Sequence, residues 1–220
     1  MKNYNVNLWG RMVHFLKDYN VNLWGIMVHF ILVRTRRRHF KKVGESLSFS
    51  PENSVFRYDS ISIGNHVVIG REAIFSCEAE IGNYVMFGPK VYITSGRHEY
   101  TIVGKRIREQ GEAGVRKVIV EDDSWVGEGS LITRGVVVGE GTVIGGMSVV
   151  TKSLPPYCIC VGNPCHPIKL RYSDEELREH LEKIDHHRTA DEIEQMLERR
   201  RQELSRAGYI ISEDGTIVLS

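Results

Sequence analysis

The chain has 220 residues, a formal net charge of +1 and 26% charged residues. This length allows one domain with modest appendages, and the near-neutral charge gives no general case for nucleic-acid binding. Four cysteines are too few for a disulfide scaffold, so we expect a protein of the reducing cytoplasm. Their spacing matches no familiar zinc pattern, and we expect them to be packed core residues without a metal.

Residues 1–44 form an N-terminal extension with an internal duplication. The segment Tyr4–Gly10 recurs as Tyr19–Gly25, and each copy leads into Met-Val-His-Phe. The apolar run Ile26–Val33 is far shorter than the ~20 residues that a membrane-spanning helix needs. We therefore expect a helical or irregular extension.

A basic run, Arg34–Lys42, ends this extension. One interpretation is a solvated helix end, or a partner for the acidic helices near the C-terminus. The other is attachment to an anionic membrane surface, with Trp24, Phe30 and Ile31 as the apolar side. The sequence leaves both open.

The middle of the chain repeats every six residues. An apolar residue opens each block and a small residue, usually glycine, follows it; the first positions are Ile63, Ile69, Phe75, Ile81, Phe87 and Ile93, then Val120, Val126, Ile132, Val138, Ile144 and Val150. The fifth position is small or β-branched. This period fits neither a helix nor an alternating strand. It predicts short strands with a turn in every block, where the second-position glycine supplies unusual backbone angles.

Three blocks predict one triangular coil of about 18 residues, stacked on the next at roughly 4.8 Å. Ile63 should then lie over Ile81, Ile69 over Phe87, and Phe75 over Ile93. Repeats continue to Pro155, interrupted by a charged, glycine-rich excursion at residues 99–116. Ser173 with Glu176, and Thr189 with Glu192, predict two capped helices. A short hairpin should follow them.

The motifs in this repeat resemble a known family. Asp123–Gly127, Gly145–Lys152 and Gly162-Asn163-Pro164 are similar to motifs of the hexapeptide-repeat acyltransferases, including bacterial polysaccharide and sugar O-acetyltransferases and xenobiotic acetyltransferases. The resemblance implies an all-β solenoid, a left-handed parallel β-helix, with C-terminal α-helices. We predict domain boundaries at 1–44, 45–172 and 173–220.

His98 is the candidate catalytic residue, because it stands where the repeat breaks. An imidazole can accept a hydroxyl proton at neutral pH; a histidine that only bonds loop backbone is the alternative. The resemblance implies the catalytic base of direct acetyl transfer from acetyl-CoA. Glu99 or a backbone carbonyl could orient the ring.

The resemblance also implies contacts with acetyl-CoA. The matched positions are Trp125, Gly127, Gly145, Gly146, Thr151, Lys152 and Lys169. Trp125 could instead be an outward residue at a subunit interface, and either lysine could be solvated surface. The family further implies a homotrimer with active sites between subunits.

We predict an acetyl-CoA-dependent O-acetyltransferase that acts on a saccharide hydroxyl in surface-polysaccharide biosynthesis, with no metal and no nucleic-acid partner. Arg106–Gly111 resembles enzymes of lipopolysaccharide and capsule synthesis. The alternatives are an antibiotic or amino-sugar acetyltransferase, a non-enzymatic solenoid, or a zinc enzyme resembling the γ-carbonic anhydrases, which needs three converging histidines. The expected location is the cytoplasm or the inner membrane surface.

Overall fold

The computed structural model describes residues 23–95, 98–184 and 188–219. The first copy of the duplication, the beginning of the second copy and the side chain of Trp24 lie outside what is described. Helix α1 spans Leu23–Arg37, α2 spans Asp174–Ile184 and α3 spans Ala190–Arg206.

The described residues also contain two short 3-10 helices, Tyr58–Ser60 and Ile107–Glu109, and eighteen short strands. The strands are β1 (Lys42–Val43), β2 (Val55–Phe56), β3 (Ile61–Ile63), β4 (Val68–Ile69), β5 (Ile74–Phe75), β6 (Ala79–Ile81), β7 (Met86–Phe87), β8 (Tyr92–Thr94), β9 (Val118–Val120), β10 (Trp125–Val126), β11 (Leu131–Thr133), β12 (Val137–Val138), β13 (Val143–Ile144), β14 (Val149–Val150), β15 (Cys158–Val161), β16 (His166–Leu170), β17 (Tyr209–Ile211) and β18 (Ile217–Leu219).

The chain visits three sheets in turn and builds a parallel β-solenoid. Sheet 1 has the order β1-β3-β6-β9-β12, sheet 2 has β16-β15-β13-β10-β7-β4, and sheet 3 has β14-β11-β8-β5-β2. We call the turn from sheet 1 to sheet 2 corner A, the turn from sheet 2 to sheet 3 corner B, and the turn from sheet 3 to sheet 1 corner C.

The predicted ladders are confirmed residue by residue. Ile63 pairs with Ile81, Ile69 with Phe87, and Phe75 with Ile93, all in parallel register. The ladder also continues across the excursion, because Ile81 pairs with Val120 although they are 39 positions apart instead of 18. These side chains are buried and form the core, so the six-residue period predicts both the strands and their register.

The fifth positions of the repeat lie inside the corners. The later coils use hydroxyl residues there, and these are buried: Ser124, Ser130, Thr142 and Ser148. Each hydroxyl donates to a backbone carbonyl; Ser124 Oγ, for example, lies 3.0 Å from the Gly139 oxygen. A buried hydroxyl is tolerated only with such a partner, so the corner carbonyls explain why polar residues occur in the core.

The second-position glycines do not supply the unusual backbone angles, and that part of the prediction is wrong. Left-handed angles occur two residues later, on non-glycine residues such as Glu72 (φ 60°) and Lys90 (φ 57°), and in the later coils on other glycines such as Gly129 (φ 70°). The glycine is needed for close approach instead: a Cβ on Gly70 would lie 2.5 Å from the carbonyl carbon of Gly88 in the next coil. Stacking distance, rather than backbone conformation, selects glycine there.

Each end of the solenoid is covered. At the first coil, Phe40 packs edge-on against Phe49 and Phe56. At the last coil, α2 and α3 bury Leu177, Leu181, Ile193 and Leu197 against Tyr157. The predicted capping boxes are present, with Ser173 N and Thr189 N donating to Glu176 and Glu192 at 2.8 and 2.7 Å. Strands β17 and β18 form the predicted hairpin.

None of the helices within the described residues is long and apolar enough to cross a membrane.

Candidate active site

His98 lies at the start of the excursion that leaves corner C between β8 and β9. Its side chain is exposed, and its backbone forms an isolated antiparallel bridge with Glu112, near the end of the excursion. The excursion therefore closes on itself at its base, and the imidazole stands at the surface next to that closure.

Side chains within the excursion hold its shape. Gln110 accepts from Ile102 N at 2.8 Å and donates to the Lys105 carbonyl at 2.7 Å. From the next coil, Arg134 donates to the Gly114 carbonyl at 3.0 Å. A loop held by several side-chain hydrogen bonds has fewer accessible conformations. The position of His98 is therefore restricted by residues that do not contact it.

Glu99 is engaged with the loop that follows it. Its Oε1 accepts from the Thr101 hydroxyl at 2.7 Å, from Tyr100 N at 2.8 Å and from Thr101 N at 3.0 Å. These bonds hold the pKa of the Glu99 carboxyl below its usual value, the Thr101 hydroxyl having the largest effect. None of the hydrogen bonds of the described residues joins this carboxylate to the His98 ring, so Glu99 shapes the loop and does not orient the imidazole directly.

Trp125 lies on the outer face of sheet 2, within an apolar row. It pairs in register with Met86, and Met86 pairs with Val68. These three side chains are 49%, 49% and 44% exposed. Single exposed apolar residues are ordinary, but a contiguous row of this kind indicates a contact surface.

The three matched glycines meet at corner B, where Gly127 lies against Gly145 and Gly146 of the next coil. A Cβ on Gly127 would lie 2.5 Å from Gly146 N, and one on Gly145 would lie 2.8 Å from Val161 Cγ1. Both positions therefore have a packing reason to be glycine. Gly146 has more space, because the atom nearest to a Cβ built there would be the Glu128 carbonyl oxygen, at 3.1 Å.

Thr151 and Lys152 are exposed at corner C, two coils beyond the excursion. Lys152 lines a cavity of about 630 Å³, which α3 and β17 form against the last coils. Arg206 and Tyr209 line the same cavity, as does the buried Cys165, whose pKa is raised to about 11 by burial. The sequence analysis missed Arg206, because only the packing of α3 brings it near Lys152.

Lys169 lies in β16, at the edge of sheet 2, and is exposed. It forms an isolated bridge with Thr216 and lines a second cavity of about 550 Å³ with Arg171 and Arg201. Five carboxylates line this cavity as well and outnumber its three cations: Asp174, Glu175, Glu176, Glu213 and Asp214.

The predicted site residues fall into two groups within one chain. His98, Thr151 and Lys152 belong to corner C, whereas Trp125 and the glycines belong to sheet 2 and corner B, with Lys169 at the edge of sheet 2. Sheet 3 separates the two groups. The described parts of the chain contain no group of three or more His, Cys, Asp and Glu side chains that could hold a metal ion.

The chain is similar to several acetyltransferases. It is 30% identical over 154 residues to a galactoside O-acetyltransferase of Lactococcus lactis, covering 68% of this chain and 72% of the relative. Among solved structures, a maltose O-acetyltransferase from Clostridium difficile is 33% identical, with a TM-score of 0.54 over 64% of this chain and 74% of that one.

A variant of an N-acyltransferase from Bacillus cereus, solved in complex with dTDP and coenzyme A, is 26% identical, with a TM-score of 0.51 over 69% and 96% of the two chains. No family model matches the chain. The solenoid, its register and the galactoside O-acetyltransferase similarity agree, and the chain is an acetyl-CoA-dependent acetyltransferase that belongs to the hexapeptide-repeat acetyltransferase family.

Proposed function

We propose that this protein transfers the acetyl group of acetyl-CoA to a saccharide hydroxyl, with His98 as the general base. The observation that carries the proposal is an exposed imidazole at the base of a braced excursion, the place where the repeat is interrupted. The similarity to galactoside and maltose O-acetyltransferases supports a sugar acceptor.

The reaction needs one proton acceptor and one positioned thioester. A ring nitrogen of His98 takes the proton of the acceptor hydroxyl while the oxygen attacks the acetyl carbonyl carbon. The carbon–sulfur bond then breaks, and the proton passes to the departing sulfur. The products are an acetyl ester and free coenzyme A. A base of this kind contributes about 10²–10⁴-fold to the rate.

We further propose that the site is completed by a second copy of the chain. The corner C group and the sheet 2 group belong to different parts of one solenoid, and the row Val68, Met86 and Trp125 offers an apolar contact surface. A homotrimer with His98 of one subunit facing Trp125 of its neighbour would bring the groups together.

Coenzyme A carries several negative charges at its nucleotide end, and the chain offers cations for them. Lys152 and Arg206 line one cavity, and Lys169 lines another. Their residue types fit phosphate groups, for which a lysine acts as a point charge and an arginine as a planar fork. The glycines of corner B would let the pantetheine arm approach the backbone.

For the acceptor we propose a sugar that carries phosphate, as a nucleotide-linked or lipid-linked precursor of a surface polysaccharide. The excursion exposes Lys105, Arg106 and Arg108, and only Arg106 has an ion pair among its described contacts, with Glu109 at 3.6 Å. The dTDP in the Bacillus cereus relative supports a nucleotide-linked sugar.

The test is an acceptor screen with acetyl-CoA and detection of the released thiol. It compares simple galactosides, sugar nucleotides and chloramphenicol- or streptogramin-type antibiotics. We expect sugar nucleotides to be acetylated fastest, because the cations of the excursion can bind their phosphates. Faster turnover of an antibiotic than of every saccharide would replace the saccharide proposal by xenobiotic acetylation.

The same assay tests the base. His98→Ala should lower kcat by about 10²–10⁴-fold with an unchanged melting temperature, because the side chain is exposed and its loss leaves no cavity. His39→Ala, at another exposed histidine, is the matched control and should keep full activity. A His98→Ala enzyme within about threefold of the parent would exclude this role.

A further inference from the structure

Helix α1 presents an apolar stripe to solvent. Met27, Phe30 and Ile31 are 45%, 65% and 49% exposed, and their spacing of three and four residues places them on one face. A helix on the surface of a globular protein normally presents polar residues on that side. The exposed face of α1 is therefore arranged to contact something other than water.

The opposite face of α1 is only loosely attached to the solenoid. None of its described side chains, from Gly25 to Arg37, is fully buried. Val33 packs against the core, His29 contacts Glu52 at 3.1 Å, and Arg37 donates to the Gly44 carbonyl. The partners of His29 and Arg37 belong to the first coil, and these contacts leave Phe30 and Ile31 exposed.

The exposed stripe continues into basic residues. Arg34 lies one helical turn after Phe30 and Ile31, and Arg38 follows directly after the helix; both are exposed. Together with Phe30, Val33 and Arg37 they line an open depression of about 430 Å³. Three guanidinium groups around apolar side chains are suited to a phosphate that is joined to a hydrocarbon chain.

The acidic helices of the same chain cannot neutralise this face. Helix α1 leads into β1, at one edge of sheet 1, whereas α2 follows β16, at the far edge of sheet 2. The acidic residues of α2 and α3 pair locally, for example Glu194 with Arg178 at 2.6 Å. The interpretation of Arg34–Lys42 as a partner for the C-terminal helices is therefore wrong within one chain.

We propose that the Met27–Phe30–Ile31 stripe of α1, with Arg34 and Arg38, docks on an anionic phospholipid surface. The stripe would enter the interface between headgroups and acyl chains, and the arginines would contact lipid phosphates. Charge complementarity selects this partner over a neutral membrane. With 15 residues the helix would lie in the interface and not cross it.

The experiment measures co-sedimentation of the full-length chain with vesicles. Vesicles that contain phosphatidylglycerol should bind the protein, and pure phosphatidylcholine vesicles should bind it at least about tenfold more weakly. The double variant F30E/I31E should lose about tenfold or more in affinity for the anionic vesicles. Ile210→Glu, at an isoleucine of β17 that is 54% exposed, is the matched control and should bind like the parent.

Two further measurements complete the test. R34E/R38E should bind anionic vesicles about tenfold more weakly, and raising the ionic strength should weaken the parent in the same way. Equal binding of parent and F30E/I31E would overturn the proposal. The proposal would also be overturned if the parent protein bound no vesicles and F30E/I31E changed the oligomer mass. The stripe would then be a contact between copies of the chain. Neither readout depends on acetyl transfer, so the proposed function can fail or hold independently.

Discussion

Gly70 and Glu72 lie two residues apart in the same corner B turn. One of them allows close approach to the next coil, and the other adopts the left-handed backbone angle. Glu72 adopts the left-handed backbone at φ 60°, whereas Gly70 lies against the backbone of Gly88 and Pro89. The residue that looks permissive in the sequence is therefore the one that the fold constrains most.

Substitutions at these two positions should have different effects. Gly70→Ala should lower the free energy of unfolding by about 1–3 kcal/mol, because its Cβ would meet backbone that cannot move without shifting the coil. Glu72→Gly should stay within about 1 kcal/mol of the parent, because relief of left-handed strain offsets the added chain entropy. Chemical denaturation of both variants measures this. A loss for Gly70→Ala no larger than that for Glu72→Gly would contradict the stacking explanation.

At the scale of the element, the excursion depends on Glu99. Its pKa is lowered from the ordinary value, so its contribution to loop order is fully present above about pH 4.5 and is lost as the pH falls through the lower folded-state pKa. At neutral pH the carboxylate therefore holds Tyr100 N, Thr101 N and the Thr101 hydroxyl.

Glu99→Ala should reduce kcat about tenfold, an effect typical of a misplaced catalytic group, and leave the KM for acetyl-CoA unchanged. Glu99→Gln is the conservative control, because an amide oxygen accepts the same three hydrogen bonds, and it should keep most of the activity. Steady-state kinetics of the two variants provides the measurement. If both lost activity equally, the charge itself would be needed and loop positioning would be the wrong explanation.

The ladders could be predicted from sequence because each depends on residues at fixed intervals of six, and Ile63 over Ile81 is confirmed. The corner hydroxyls and the Gly70 contact could not be foreseen, since they depend on how closely adjacent coils approach. The cavity that Lys152 and Arg206 line could not be predicted from the sequence either, because only the packing of α3 against the solenoid brings these two residues together. Whether His98 and the cofactor positions act as predicted stays a prediction.

On the scale of the whole molecule, the apolar row of sheet 2 predicts self-association. Light scattering should give three times the chain mass of 25.1 kDa. Met86→Glu should shift the protein to smaller species and remove activity with it, because a charge would be buried without a partner. Val218→Glu, in the terminal hairpin and also 49% exposed, is the control and should leave the mass unchanged. A parent chain with the mass of one subunit would contradict the shared site.

The excursion leaves from sheet 3 and returns to sheet 1 with the ladder unbroken, since Val120 stacks on Ile81 as if no residues intervened. Its length and composition are therefore uncoupled from the core, and lengthening such a loop costs only about 0.6 kcal/mol for each doubling. The coils of the solenoid can stay unchanged while different acceptor loops are exchanged at this position. Grafting the loop of a relative between His98 and Lys117, so that the proposed base is kept, is accordingly a route to new acceptor specificity that leaves the coils intact.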